Sequence, residues 1–530
     1  MQTVTEERVP AVMRDGVTLY STVYRPAEGP PVPAILSRTC YAARRPMTAY
    51  AAVDPEKALA AGFALVVQDV RGIAPSEGEF DPFFAEGPDG YDSVQWVASQ
   101  DWCDGSVMLS GRSYVGATQW LAALEQPPAL KAIAPVITGS NFFHGWVYQG
   151  GAFSHGFNSF WLSMMSRKRR RDSSFAVQLG RFPLKDAPMI VDEDARRLYL
   201  RWLEHSTDDA FWRGLSINQR YDAVQVPALN VGGWYDVFLG GTLENYRGAG
   251  SRLIVGPWVH GNAWGTWPTE KSAFPGDEID LDAEQLAFFA DPSAGPRVRL
   301  FVMGANVWRD EDEWPLARAV DTPWYLRADG VLSPEPPAEE APDTFTYDPE
   351  DPVPTVGGPT SLPDAFLGTN SGPLDQREVE ARDDVLVYTS APMEADYEVT
   401  GPLKVVLHAA TDARDTDWVV KLCDVSPDGG SRILAEGILR ARFREGYEAE
   451  VPIEPGAALE YRIDLVATSN CFLAGHCIRV DVTSSSFPRF DCNPNTGHPI
   501  GDDGPEDLIV AHQTIFHDTA RPSHIVLPVA

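Results

Sequence analysis

A serine hydroxyl becomes a nucleophile only when a base takes its proton, so a chain that uses one must bring serine, histidine and an acid together. Residues 111–116 read Gly-Arg-Ser-Tyr-Val-Gly, a glycine-flanked serine of the form G-x-S-x-x-G at Ser113. The motif alone recurs by chance; its setting is more specific. It follows the apolar run Val107-Met108-Leu109-Ser110 and precedes a helix-spaced segment from Tyr114 to Leu124, the strand–turn–helix context of a nucleophile elbow. Gly111, two positions before the serine, and Gly116, three after it, let the flanking backbones approach a strained turn. That turn lifts the hydroxyl clear of the sheet. The helix N-terminus then adds partial positive charge, and the Tyr114 amide points where an oxyanion would form.

Ten histidines compete for the role of base. With a serine elbow the expected chain order is Ser, then Asp or Glu, then His. His260, in Gly-Pro-Trp-Val-His-Gly, stands past the strand-like Arg252–Val255, and Asp236, in Gly-Gly-Trp-Tyr-Asp, past the strand-like run ending at Val231. Both fall in loops at strand carboxyl ends, where such folds collect reactive groups. An aspartate after a strand is more often a turn or cap residue, so Asp236 and His260 gain their weight from each other and from Ser113. His144, His155 and His205 could line a pocket, but none follows a core strand. His476, His512 and His524 read as ordinary surface or core residues of a later β-rich region.

These three residues need a frame, and the surrounding pattern supplies one. Val17–Tyr24, Ala34–Ser37, Phe63–Val70, Val107–Ser110 and Lys131–Val136 are short β-rich runs; Tyr91–Gln100 and Tyr114–Leu124 between them have helical spacing. That alternation predicts an α/β fold with a mostly parallel sheet covered on both faces. The pattern lapses after Gly139. Residues 140–220 read as helical pieces without a convincing strand, and strand signals resume at Pro227–Val231, Arg252–Val255 and Arg297–Met303. The expected organisation is therefore a core at 1–139 and 221–324, interrupted by a helical insertion at 140–220. Beyond Trp324 the Pro- and acid-rich stretch Ser333–Pro354 suits a surface connection. Downstream, Pro402–His408 and Cys477–Thr483 alternate apolar and polar residues, so 325–530 is expected to form a β-sandwich.

Composition narrows the partners. The 530 residues carry 43 basic and 75 acidic side chains, a net charge of −32, which repels phosphate backbones and anionic lipid heads. Neither nucleic acid nor membrane is an expected partner. The basic run Arg167-Lys168-Arg169-Arg170-Arg171 is accordingly read as a solvated helix face neutralised by nearby acids. No apolar run approaches the ~18 residues of a membrane span, and the first residues lack a secretory pattern. The six cysteines show no metal or disulfide spacing and are expected to be reduced. Together these point to a soluble cytoplasmic protein. Asp69 and Arg71 read as a structural pair near a strand end.

Several motifs occur in a fixed order: Asp15-Gly16-Val17-Thr18-Leu19, Gln68-Asp69-Val70-Arg71-Gly72 with Ser76-Glu77-Gly78, Trp102-Cys103-Asp104-Gly105, the elbow, Gly233-Trp234-Tyr235-Asp236 and Gly256-Pro257-Trp258. With Ala467-Thr468-Ser469-Asn470, Ser485-Ser486-Phe487-Pro488 and Ser523-His524-Ile525-Val526-Leu527-Pro528 in the tail, the chain resembles the CocE/NonD hydrolases nearly end to end. That family takes in cocaine esterase and, more distantly, α-amino-acid ester hydrolases and X-Pro dipeptidyl-peptidases.

The resemblance implies an α/β-hydrolase core, an inserted helical cap and a C-terminal jelly-roll domain, with Ser113, Asp236 and His260 as the triad. It adds Tyr41, whose phenol would join the Tyr114 amide in the oxyanion hole; unaided, Tyr41 reads as a core aromatic. Trp146, Trp161 and Phe238 occupy positions similar to those lining the family's acyl pocket, against the plainer reading of cap packing. Ala42-Ala43-Arg44-Arg45-Pro46 and Arg112 depart from the family pattern and bear on substrate choice. The implied activity is hydrolysis of carboxylic esters of small or aromatic acyl groups, with a small-molecule ester as partner and no cofactor or metal. The alternatives are an α-amino-acid ester hydrolase or β-lactam acylase, an X-Pro dipeptidyl-peptidase and, from another class, a carbohydrate binder using the β-domain. A homodimer is left open.

Overall fold

The computed structural model describes residues 3–41, 53–165, 174–249, 252–260, 274–361 and 371–530. The Ala42–Pro46 departure and the Arg167–Arg171 run lie outside them. Among the described residues twelve strands precede residue 312: β1 (Thr3–Val12), β2 (Thr18–Pro26), β3 (Val32–Thr39), β4 (Ala64–Asp69), β5 (Cys103–Arg112), β6 (Leu130–Val136), β7 (Tyr148–Gln149), β8 (Ala152–Phe153), β9 (Leu229–Tyr235), β10 (Arg252–Val259), β11 (Val298–Val302) and β12 (Val307–Glu311). Ten of them form one sheet in the order β1-β2-β4-β3-β5-β6-β9-β10-β11-β12. The pairings from β4 through β11 are parallel, with antiparallel strands only at the two margins. Continuous apolar runs explain this: every residue of β4 and β9 is buried, which requires cover on both faces.

The helix Tyr114–Leu124 is buried at every position, consistent with a sequence that is apolar all round. Its outer side joins the same core cluster as the insertion, through Trp120, Trp202 and Trp212. Within that insertion the helix Glu193–Glu204 starts at Asp192, whose side chain accepts from the Asp194 and Ala195 amides, and buries Ala195, Leu198, Tyr199, Trp202 and Leu203. Those positions are one stripe of a 3.6-residue repeat. The insertion also holds the β7–β8 hairpin, which the sequence reading had no strand for. Two residues per strand are too few to display a period.

Among the described residues twelve strands from Val320 onward form the second, largely antiparallel sheet system of a β-sandwich. Its first strand, Val320–Arg327, contains Trp324, so this sheet begins before the composition shift used to mark the boundary. The Pro- and acid-rich stretch also contributes a strand, Asp343–Tyr347, paired with Ala511–Asp518. The β7–β8 hairpin is fastened to this sandwich. The Arg440 amide donates to the Gly150 carbonyl at 2.8 Å, the Phe153 amide to Asp491 Oδ1 at 2.8 Å, and the Gly156 amide to the Pro488 carbonyl at 2.8 Å. Gly150 has φ of 56°, and a Cβ there would lie 1.8 Å from the Ile438 carbonyl oxygen, so no larger residue fits. All six cysteines are free, and five are buried.

Candidate active site

β5 ends at Arg112 and the helix starts at Tyr114, leaving Ser113 alone to make the turn, with φ of 58° and ψ of −124°. A non-glycine residue in that region stores about 1–3 kcal/mol of strain, which the surrounding sheet and helix hold. The Ser113 amide donates to the Val136 carbonyl at 2.9 Å, locking the turn to β6. Gly116 is needed because a Cβ would lie 2.7 Å from the Thr138 side chain. As the first helical residue, Tyr114 presents an amide with no partner inside the helix.

The other two groups are set by strand register. β9 and β10 run parallel with Tyr235 opposite Val259, so the next residues, Asp236 and His260, leave the sheet side by side. His260 Nδ1 lies 2.6 Å from Asp236 Oδ1, and His260 Nε2 lies 3.0 Å from Ser113 Oγ. A carboxylate only accepts, so Nδ1 carries the proton and donates to Asp236. Nε2 is then free to accept from the Ser113 hydroxyl. All three residues are buried, at 2%, 1% and 5% exposure for Ser113, Asp236 and His260, and the water-poor setting strengthens each contact. The three side chains paired from sequence order are therefore together.

Aromatic rings wrap this relay. Phe238 meets His260 edge-on with ring centroids 5.0 Å apart, and Trp146 stacks on Phe238 at 4.2 Å. Trp161 stacks on Tyr114 at 5.8 Å, and its indole N–H donates to the Tyr41 hydroxyl at 3.3 Å. Tyr41 is half-buried just past β3, with its amide donating to Thr39 Oγ1 at 3.0 Å. Phe157, which the sequence reading passed over, meets His260 at 6.2 Å and Phe238 at 5.5 Å. Its spacing four residues before Trp161 on the helix His155–Met165 is the signal that could have found it, since both lie on one face.

The remaining candidates lie elsewhere. His155 is sealed inside the insertion, His205 Nδ1 pairs with Asp209 at 2.6 Å, and His144 stacks on Tyr447 of the β-domain at 4.8 Å. His476 pairs with Asp424 at 2.7 Å. Arg71 is bound not as a partner of Asp69 but by Asp89 at 2.7 Å and Asp15 at 2.8 Å; these acids are distant in sequence, so proximity along the chain misdirected the pairing. Arg112 closes β5 and is half-buried. In the β-domain Glu380, Cys423 and Asp481 bring their donor atoms within 4.8 Å of one another, the one such group found among the described residues. Arg479 already pairs with Glu380 there at 2.5 Å, so a cation would have to compete with a guanidinium.

A serine at a strand–helix elbow, relayed through histidine to an acid at the carboxyl rim of a parallel sheet, defines a serine hydrolase of the α/β-hydrolase fold. Residues 15–262 match the X-Pro dipeptidyl-peptidase (S15) family, and residues 293–526 the X-Pro dipeptidyl-peptidase C-terminal non-catalytic domain. Cocaine esterase of Rhodococcus sp. (strain MB1 Bresler) is 37% identical, over 98% of this chain and 97% of its own. The chain belongs to the CocE/NonD family of serine hydrolases, and its activity is that of a serine esterase. Among solved structures, an aminopeptidase from a marine sediment Thaumarchaeota archaeon superposes with a TM-score of 0.88 at 28% identity, covering 100% of this chain and 96% of that one. An α-amino acid ester hydrolase does so at 0.87 and 27%, covering 100% and 97%.

Proposed function

We propose that the chain hydrolyses carboxylic esters of small or aromatic acyl groups through an acyl-enzyme on Ser113. His260, held in one tautomer by Asp236, takes the Ser113 proton as Oγ attacks the ester carbonyl. The tetrahedral oxyanion is received by the Tyr114 amide and the Tyr41 phenol. Collapse breaks the bond to the alkoxide, which leaves as the alcohol with the proton from His260. Water, deprotonated by the same imidazole, then attacks the acyl carbon, and Ser113 is regenerated as the acid departs. No step calls for a metal or an organic cofactor.

The observation that carries this reading is His260 bridging Asp236 and Ser113 at 2.6 and 3.0 Å. The acyl class is supported by Trp146, Phe157, Trp161 and Phe238, whose rings surround the relay and present faces and edges suited to a planar apolar group. The test is a panel of acetyl, butyryl and benzoyl esters against wild type and Ser113→Ala. Hydrolysis in the wild type and its loss in the variant are expected; full activity in the variant overturns the assignment.

A second reading, an α-amino acyl substrate, is favoured by the likeness to the aminopeptidase and the α-amino acid ester hydrolase. It demands an acid facing the substrate ammonium. A phenylglycine ester cleaved faster than its desamino counterpart supports it, and the reverse ratio supports the first reading.

A further inference from the structure

The acyl-transfer scheme leaves unused a buried polar network beneath the elbow. Tyr114 contributes its amide to the helix start, while its phenol, fully buried, donates to Glu86 Oε1 at 2.7 Å and accepts from the Phe83 amide at 3.1 Å. Glu86 opens the helix Glu86–Ala98 and is 4% exposed. Its Oε2 pairs with Arg38 Nη1 at 2.8 Å, and its backbone carbonyl accepts from the same nitrogen at 2.9 Å. Arg38 lies on β3, three residues before Tyr41. Its Nε donates to Gln68 Oε1 at 3.1 Å, and that oxygen also accepts from the Ser93 hydroxyl at 2.7 Å.

Both oxyanion donors therefore hang from one carboxylate. The amide donor belongs to the residue whose phenol Glu86 holds; the phenol donor follows the strand whose arginine Glu86 holds. An oxyanion hole works only if its donors converge within 2.7–3.1 Å of one oxygen, and a displacement of about 1 Å costs on the order of 10²-fold in rate. A buried ion pair is a weak source of net stability compared with apolar residues of the same volume. β3 and β5 are already neighbours in the sheet, and Thr118 Oγ1 donates to the Arg38 carbonyl at 3.2 Å; what the pair adds is a side-chain tie between the ends of these elements, beyond the last ladder bond.

We propose that Glu86 is a positioning residue for the oxyanion hole, clamping Tyr114 through its phenol and the Tyr41 segment through Arg38. This rests on the oxyanion-hole reading above. The test compares Glu86→Gln and Tyr114→Phe with Ser93→Ala, which loosens the outer network without touching Glu86. Four quantities are measured: kcat, KM, the thermal midpoint and the inhibition constant of a phenylboronic acid, whose serine adduct is a tetrahedral oxyanion. Glu86→Gln and Tyr114→Phe are each expected to lower kcat about tenfold or more with KM within twofold, and to weaken the boronate by the same factor. Ser93→Ala is expected to lower the thermal midpoint while leaving kcat and boronate affinity as in the wild type. Should Glu86→Gln fail to fold, Tyr114→Phe, which removes a single oxygen, decides alone. Wild-type kcat and boronate affinity in Tyr114→Phe overturn the proposal, and so does a loss confined to KM. Hydrolysis surviving in Ser113→Ala overturns the acyl-enzyme reading instead, so the two failures are told apart.

Discussion

Acid should weaken the insertion through one buried imidazole. His155 is fully buried; Nε2 donates to the Leu179 carbonyl at 3.0 Å, and Nδ1 accepts from the Tyr199 hydroxyl at 3.1 Å, with Ser159 Oγ at 3.4 Å. These partners suit the neutral ring and offer no carboxylate to a cation. Burial accordingly pushes its pKa down from 6.5 to about 4. Between those values the unfolded chain binds more protons than the folded one, so stability is lost as pH falls through the window and is unaffected well above it. Linkage gives roughly 2 kcal/mol lost from this residue alone between pH 7 and pH 5. His155→Gln can supply a donor and an acceptor at the same site without titrating. Urea unfolding of both proteins at pH 7 and pH 5 isolates the contribution, because every other group cancels in the double difference. A wild type that loses about 2 kcal/mol more than the variant is the expected outcome. Parallel losses would refute the reasoning, since the ring would then be accommodating its charge.

Other expectations follow from the same geometry. Tyr41→Phe should lower kcat by on the order of 10²–10³ with little change in KM, as removal of one oxyanion donor does; unchanged kcat on benzoyl esters would remove the phenol from the hole. Phe238→Ala should open space beside His260, raising kcat/KM for benzoyl relative to acetyl esters while costing about 3–5 kcal/mol of stability in urea. Burial beside Glu380 raises the Asp481 carboxyl from 3.8 to about 7. The folded state therefore holds a proton that the unfolded state has already released, and stability relative to Asp481→Asn should fall as pH rises from 5 to 8, then level off, in thermal melts of the two proteins.

What the sequence disclosed was local or periodic. The elbow is six consecutive residues between a strand and a helix, and Asp236 and His260 each follow a recognisable strand, so chain order alone could pair them. Register, which decides that they emerge adjacently, is not written in either strand; it arises from the β9–β10 pairing. Tyr41 was legible only through family resemblance because its neighbour in space, Trp161, is remote along the chain. Glu86 carried no signal at all: an acid in a first helical turn reads as a dipole partner, and only folding reveals Arg38 and Tyr114 beside it. Arg71 shows the converse, an obvious neighbour in sequence displaced by Asp89 and Asp15. The boundary at Trp324 slipped because composition changes where loops lengthen, whereas Val320–Arg327 already pairs with the final strand, His524–Val529.

The hairpin seated on Gly150 changes how the parts of this chain can be exchanged. Its footing is Arg440, Asp491 and Pro488, residues of a module that contributes nothing to the relay itself. Trp146 and Phe157, which flank the hairpin and belong to the aromatic wall beside His260, thus lean on a foundation laid far later in the chain. Trimming the chain to its hydrolase half, or grafting the insertion of a relative without its matching sandwich, would leave that wall without its footing, and selectivity would drift even with every reacting atom in place.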